Sequence, residues 1–480
     1  MKILVLGDDF QGPHGVVNYT RPLAERLARS GLEVHYFYSG SQFLAYDLLL
    51  FPRLKRFVRE GIHFYKIINS PIYAQIPGSP EADLFNPTIE RMLASVLSSV
   101  KPDLVYIDSL LGLPSRSLEV IGVRSVPIVM THHVYRLFCQ KGVFYSNEEE
   151  FCGGPTDPDR CARCYREVDA RKYILAAQLR STAPSRVLVD KAAVPAARAL
   201  RGVRDWARNK LSGSTSRLAW RLEATEQERS AGLKERLVRR LRLNVEYLNA
   251  YVSVNICVST DVKENLSRLG VEPRSLLVQH IGSAVAERFR PKRHALDPGQ
   301  IVIGNIGGIN PYKGTHVLIE ALRLLADRPN WKALIYGRTI DTYQARLERI
   351  FSDPRIAYKG PYRFEDIDSI VDTIDIMVLP STCNDTAPQT IFESLSGSVP
   401  VVASRIGGFP DFIRHGENGL LFEPGDPRDL AEKLRKVLEE PSLIRAMEQR
   451  IRQPKTLSEN TEELRALFTD LVTKRRRGGR

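Results

Sequence analysis

Residues 375–404 read "DIMVLPSTCNDTAPQTIFESLSGSVPVVAS", and this one segment holds a strand, a loop, a helix and a second strand. The apolar run Ile376–Leu379, closed by Pro380, is too short for a helix. After a polar loop, Thr386 is a cap-like residue, Pro388 suits a first helical turn, and Gly397 ends the helical spacing. "PVVAS" is then a second buried strand. Strands that alternate with helices in this way predict a parallel sheet covered on both faces.

Working outward, the same alternation runs through "IVIGNIGG" (301–308), the helix "THVLIEALRLLA", and the strands "KALIYG", "RIAYKG" and "GLLFEPG". It runs separately through "KILVLG", "LEVHYFYS", "PDLVYIDS", "VPIVMTHH", "VNICVS" and "SLLVQHIG". The chain has 480 residues, 43% of them hydrophobic, which is enough for two cores. The expected fold is therefore α/β, with two doubly wound Rossmann-like domains facing across a cleft. An N-terminal domain is expected over 1–290 and a C-terminal domain over 291–455, joined near "RFRPKRHALDPG" (288–299). A last helix with a basic tail, 456–480, is expected to pack back toward the N-terminal domain. Between 165 and 248 the alternation stops, and Ala-, Leu- and Arg-rich sequence predicts a helical insertion in the first domain.

The net charge of +13 is concentrated in few places. Residues 171–242 carry 18 Lys/Arg against 6 Asp/Glu, and the terminal "KRRRGGR" adds five more cations, so the two cores are close to neutral. With Trp206, Trp220 and many leucines interleaved, 171–242 is expected to adsorb to an anionic membrane surface, and nucleic acid is the weaker partner. The start, "MKILVLGDDF", has too short an apolar run for a signal peptide, and no segment reaches the length of a membrane span. The expected location is the cytoplasm, with peripheral attachment to the inner face of a membrane.

The chemistry gathers in loops that follow strands, where doubly wound sheets bind ligands. The free N–H groups of Gln389 and Thr390, at a helix start after Pro388, favour an anion such as phosphate. Asp385 lies just before that helix and Glu393 within it. Carboxylates repel phosphate but accept charge-assisted hydrogen bonds from hydroxyls. One phosphate site flanked by two hydroxyl-binding acids describes a nucleotide sugar. In "GGINPYKGT" Lys313 precedes a glycine in the reverse of the P-loop order, so a Walker A loop is excluded while an anion site is retained. "GPHGVVNYTRPLAERL" lacks G-x-G-x-x-G, which disfavours a dinucleotide cofactor.

These stretches, "DTAPQTIFESLSGSVPVVASRIGGFPDFI" with "GGINPYKGTHVLIEAL" upstream, resemble the C-terminal domain of GT-B-fold retaining glycosyltransferases of family 4, the glycosyl transferases group 1. The resemblance implies transfer of a sugar from a nucleoside diphosphate sugar to a hydroxyl acceptor, with retention, no catalytic metal and no other cofactor. A saccharide or lipid-linked acceptor in surface polysaccharide or glycolipid synthesis is the expectation. It implies that Glu393 holds the ribose hydroxyls, Asp385 the transferred sugar and Lys313 the pyrophosphate. Gly15, Gly307, Gly308, Pro388, Gln389 and Thr390 complete the donor loops, and His132 contacts a sugar hydroxyl. The chain departs from the pattern in carrying Asp385 for a Glu, Gly308 for an Arg, Asp411 for a Glu and His133 for an Asp. Asp108, where the pattern often has His, is a lesser acceptor-side candidate. Rival readings are a non-catalytic sugar-nucleotide or membrane-docking scaffold and a GT-B epimerase or phosphorylase.

Cys139, Cys152, Cys161 and Cys164 form C-x12-C-x8-C-x2-C. In a reducing compartment four thiols with a terminal C-x2-C suit a closed structural zinc site, the alternative being a cysteine-bearing loop. The acids of "DID" (366–368) are read as the wet face of a helix whose other face carries Ile367, Ile370 and Val371, and they are not expected to hold metal.

Overall fold

Strands form wherever the apolar runs are continuous, because a strand covered on both faces has no polar side to show. A computed structural model of the protein describes residues 1–10, 15–40, 52–68, 70, 72, 80–146, 150–165, 226–291, 295–339, 343 and 353–478. The first sheet contains β1 (Lys2–Gly7), β2 (Glu33–Ser39), β3 (Arg53–Arg59), β4 (Ile62–Ile68), β5 (Leu104–Ile107), β6 (Ile128–His132), β7 (Val254–Cys257) and β8 (Leu276–Val278). Their order is β3-β4-β2-β1-β5-β6-β7-β8, parallel throughout except for the β3–β4 hairpin. The second sheet contains β9 (Ile301–Ile306), β10 (Trp331–Tyr336), β11 (Ile356–Gly360), β12 (Ile376–Leu379), β13 (Val401–Ser404) and β14 (Gly419–Phe422), in the order β11-β10-β9-β12-β13-β14 and parallel throughout. The two expected sheets are thus present.

Each sheet reverses direction of growth at one place, between β1 and β5 in the first and between β9 and β12 in the second. Loops diverge above such a switch point and leave a crevice at the carboxyl ends of the strands. Lys313, Asp385, Gln389 and Thr390 follow strands of the second sheet, and His132 ends a strand of the first.

The chain passes between domains twice, side by side. Ser283 N–H donates to Lys455 O (3.0 Å) and Leu457 N–H to Ser283 O (3.2 Å). Val285 already belongs to the C-terminal core, so the crossing comes ahead of the 288–299 stretch. Helix Leu457–Gly478 returns to the first domain and buries Leu457, Leu464, Phe468 and Val472 in its core. Tyr19 OH donates to Asn460 Oδ1 (2.7 Å), and the Phe468 ring lies 5.4 Å from that of Tyr106.

Residues 53–68 hold an element absent from the sequence reading. The β3–β4 hairpin turns at Glu60–Gly61, both with positive φ (52° and 78°), the backbone signature of a tight hairpin turn. Of the basic insertion, 166–225 lie outside the described residues, and 226–251 form one helix against the N-terminal domain. There Arg236 pairs with Glu81 (2.6 Å), Arg240 with Asp83 (3.5 Å) and Lys234 with Asp159 (2.8 Å). This end of the stretch assigned to a membrane spends those cations inside the protein. Among the described residues no helix is long and apolar enough to cross a membrane.

Candidate functional site

The C-terminal crevice is built from three loops that hold one another. After β9, Asn310 caps the short turn Pro311–Lys313 by accepting from Lys313 N–H (3.0 Å). Gly314 follows at φ +71°, and a side chain there would stand 1.7 Å from the carbonyl oxygen of Pro380. Only glycine lets the Lys313 turn press onto the loop after β12. Thr382 N–H completes that seam by donating to Tyr312 O (2.9 Å). The third loop, after β13, lies beneath Asp385: Gly408 N–H donates to Asp385 O (2.8 Å), and a Cβ on Gly407 would stand 2.4 Å from that oxygen.

The seam brings the Lys313 ammonium onto the Asp385 carboxylate. Burial works against the Lys313 charge, but Asp385 outweighs it and holds the ammonium above its ordinary pKa. A third of the Lys313 side chain remains exposed, so the cation can still meet an anion from the cleft.

Helix Gln389–Ser396 starts at Pro388, which supplies no side-chain cap. Its first N–H groups, on Gln389 and Thr390, point away from the helix, and Gly307 lies against Thr390, with a Cβ there 3.5 Å from its methyl group. Gly307 therefore lies against the helix start, and Lys313 against Asp385 just ahead of it. Glu393, about one turn in, is buried, and its Oε2 has no hydrogen-bond partner among the described residues. Burial alone pushes its pKa up to about 7. A desolvated carboxylate with an unused oxygen is unfavourable unless hydroxyl donors come to it.

The N-terminal crevice faces this one. Thr386 Oγ1 donates to the backbone oxygen of His133, and Asn384 Nδ2 donates to both oxygens of Asp261 (2.9 and 2.8 Å). His280 Nε2 and Thr260 N–H both reach Asp411 Oδ2, at 2.9 and 2.6 Å. Burial would raise the Asp411 pKa, but these donors hold it below the ordinary carboxylate range. Asp411 thus acts as a tie between domains.

Behind Thr386 the two histidines part company. His132 ends β6 and turns into the sheet, donating to Asn255 Oδ1 (2.8 Å), and burial drives its pKa down to about 4. His133 donates instead to Asp108 Oδ1 (2.9 Å), which also accepts from Tyr106 OH (3.1 Å), while Thr20 Oγ1 donates to Oδ2. The structure therefore gives the carboxylate-coupled imidazole to His133 rather than to His132, and raises Asp108 from a lesser candidate to its partner. His133 lies just past the end of β6, and the two neighbouring imidazoles meet different partners. Asp8, unassigned from the sequence, joins them: it is buried, its Oδ1 has no partner among the described residues, and burial lifts its pKa to about 6. Asp8, Asp108, His132 and His133 line one cavity of about 240 Å³. Gly15 opens helix Gly15–Arg29, and residues 11–14 ahead of it lie outside the described residues.

Residues 287–454 match the family model described as glycosyl transferases group 1. Over this third of the chain the sequence is similar to that family. The matched stretch contains Lys313, Asp385, Gln389, Thr390 and Glu393, so the family match and the three-loop site coincide. D-inositol 3-phosphate glycosyltransferase of Corynebacterium glutamicum is 29% identical over 183 residues, covering 36% of this chain and 44% of that protein. Sulfoquinovosyl transferase SQD2 of Arabidopsis thaliana is 25% identical over 207 residues, covering 40% and 39%. The chain thus spans less than half the length of these two relatives. Among solved structures, Anabaena Alr3699/HepE in complex with UDP and glucose superposes with a TM-score of 0.57 at 16% identity, covering 97% of this chain and 99% of that one. Sucrose-phosphate synthase from Thermosynechococcus elongatus gives 0.58 at 14% identity, covering 98% and 99%. The fold is GT-B.

Outside the group 1 segment, Cys139, Cys152, Cys161 and Cys164 carry free thiols and line one pocket. Burial raises the Cys161 thiol to about 12 and that of Cys152 in the same direction. Among the described residues no group of three or more metal-ligating side chains is placed to hold an ion, so the closed zinc set expected from the spacing is not assembled. Apolar side chains share the space, with Phe138, Tyr145, Leu237 and Leu241 in the same wall. Within the group 1 segment, Asp366 caps Arg363 N–H (2.9 Å) and Asp368 pairs with Arg288 (3.0 Å) and Arg290 (3.2 Å). Both acids of "DID" thus serve local structure.

Proposed function

We propose that the protein is a retaining glycosyltransferase that moves a sugar from a nucleoside diphosphate sugar to a hydroxyl of an acceptor. The observation that carries this reading is the buried Glu393 carboxylate with an unused oxygen, about one helical turn behind the anion-favouring start at Gln389 and Thr390. Ribose hydroxyls would satisfy Glu393, and the diphosphate would lie between Lys313 and the helix start. The likeness of the group 1 segment to proteins named as glycosyltransferases supports it, as does the fold shared with a protein solved with UDP and glucose.

In this reading the acceptor oxygen forms its bond to the anomeric carbon as the bond from that carbon to the diphosphate oxygen breaks. The nucleoside diphosphate leaves with the electron pair and takes the acceptor's proton on the same face, which retains configuration. Lys313 and the helix N–H groups stabilise the charge that develops on the leaving group. Asp385 serves the hydroxyls of the transferred sugar, and His133, oriented by Asp108, hydrogen-bonds the acceptor hydroxyl. The cleft between the domains keeps water from the donor. No metal enters this scheme. Location on the cytoplasmic side, with a membrane-linked acceptor, belongs to the same proposal.

The test is a panel of nucleotide sugars, following release of the nucleoside diphosphate with and without lipid or saccharide acceptors. One donor should turn over, and Glu393→Ala should lose that turnover. Binding without turnover for every donor would favour a scaffold, and turnover requiring free phosphate a phosphorylase.

A further inference from the structure

The cavity beside His133 has two ends of opposite chemistry. Asp8, Asp108 and His133 stand at one end, which faces the cleft through the His133–Thr386 contact. Arg136, Lys141 and Arg240 stand at the other, with Asp83 as the carboxylate lining that end. Three cations against one acid leave that end positive. Leu110, Leu113, Met130 and Leu137 form an apolar wall of the same cavity.

The cationic end has unused hydrogen-bonding capacity. Arg240 is 4% exposed; its NH2 group donates to Arg136 O (2.7 Å) and lies 3.5 Å from Asp83 Oδ2, while its Nε has no partner among the described residues. Asp83 Oδ2 is also without a hydrogen bond, so this pair is close but unfinished. Lys141 Nζ donates to the backbone oxygen of Ser146 (2.8 Å), and Arg136 donates to that of Gln140. Neutral carbonyls satisfy hydrogen bonds without cancelling charge. A buried guanidinium with a free N–H beside two further cations is a site for a multi-oxygen anion, for which arginine geometry is suited.

We propose that this end binds a phosphate group carried by the acceptor, whose hydroxyl then lies toward His133 and Asp8. The inference rests on the transferase reading, because it takes the cavity as the acceptor site. A volume of about 240 Å³ corresponds to about eight water molecules, which suits one polyol ring and its phosphate. The phosphate could be that of a free sugar or polyol phosphate or the headgroup of a lipid, and the recognition chemistry is the same for both.

Calorimetric titration of the full chain with inositol, inositol 1-phosphate, and phosphatidylcholine vesicles with and without phosphatidylinositol tests this. The phosphorylated polyol should bind at least about tenfold tighter than the neutral one, as a charge-assisted contact requires. Lys141→Gln and Arg240→Met should each remove most of that preference while binding of UDP, held by the group 1 segment, is unchanged. If Arg240→Met does not fold, Lys141→Gln decides. Preference for the free ester identifies a soluble acceptor, and preference for phosphatidylinositol vesicles identifies a lipid headgroup; both support the site. Equal binding of inositol and its phosphate, or a preference that survives both folded variants, overturns it. Failure of UDP to bind the native chain would count against the transferase reading instead, separately from the phosphate result.

Discussion

Lys313 and Asp385 form an ion pair across two loops, one following β9 and the other following β12. A diphosphate arriving at Lys313 must compete with Asp385 for the same ammonium. Removing the competing charge should therefore favour the nucleotide even as it harms the chemistry. Asp385→Asn is expected to bind UDP several-fold tighter than the native chain, by about 1 kcal/mol, and to turn over donor at least about a hundredfold more slowly. Calorimetry with UDP and a release assay on the same preparation would check the two directions.

Glu393 is strained in the opposite sense. Its pKa, pushed up to about 7 by burial, exceeds the ordinary carboxylate value, so the folded chain holds its proton more tightly than the unfolded chain. Stability is then favoured at low pH and declines as pH rises from about 4.5 to about 7, by roughly 3 kcal/mol at most. Glu393→Gln should flatten that decline and raise Tm at pH 8, while weakening UDP binding more than tenfold. Thermal melts from pH 5 to 8 give the first result and UDP titration the second.

Asp411 ties the domains through His280 and Thr260. Its pKa lies below the unfolded value, so its contribution is present above about pH 4 and is lost as pH falls through the lower, folded value. Asp411→Asn should cost about 1–2 kcal/mol of stability, seen as a lower Tm at neutral pH. Small-angle scattering on the same variant should give a larger radius of gyration.

Gly408 is the support for Asp385. A methyl group there would stand 2.0 Å from the Thr386 carbonyl oxygen and 3.2 Å from the Ser259 side chain. Backbone cannot yield as a flexible side chain can, so Gly408→Ala should shift the Asp385–Thr386 loop. Turnover is expected to fall at least tenfold, and a kinetic assay that separates kcat from KM would find the loss in both.

In the proposed reaction His133, held by Asp108, serves the acceptor and not the donor. His133→Asn should leave UDP binding intact and reduce transfer to acceptor by about tenfold or more. Parallel measurements of donor hydrolysis and acceptor transfer distinguish this from a folding defect.

The C-terminal half was the more legible in sequence. Each strand there is a short apolar run closed by a glycine, a proline or a polar turn, and each catalytic candidate sits in the loop just after it. Lys313, Asp385, Gln389 and Glu393 therefore came from local spacing, and the structure gathers them at one crevice. The N-terminal side was harder because its partners are distant in the chain. Asp8, Asp108 and His133 meet only through the sheet order β1-β5-β6, and Arg240 reaches the cavity from a helix more than a hundred residues further on. His132 and His133 are adjacent in sequence, and only their distant partners, Asn255 and Asp108, tell them apart. The β3–β4 hairpin hid behind charges: "RLKRFVREGIHFYKII" places Arg53, Lys55, Arg56 and Arg59 on an edge strand, where cations guard against edge pairing. Its signal was the Glu60–Gly61 turn between two β-rich runs. The cysteines were the converse case, with suggestive spacing whose side chains share a pocket with apolar groups and do not converge on one centre.

The most direct measurement is titration of UDP into the native chain and into Glu393→Ala by calorimetry. Micromolar-range binding by the native protein, weakened at least about tenfold in the variant, is the predicted result. If no nucleoside diphosphate binds, or if Glu393→Ala binds as tightly as the native chain, the C-terminal crevice is not the donor site.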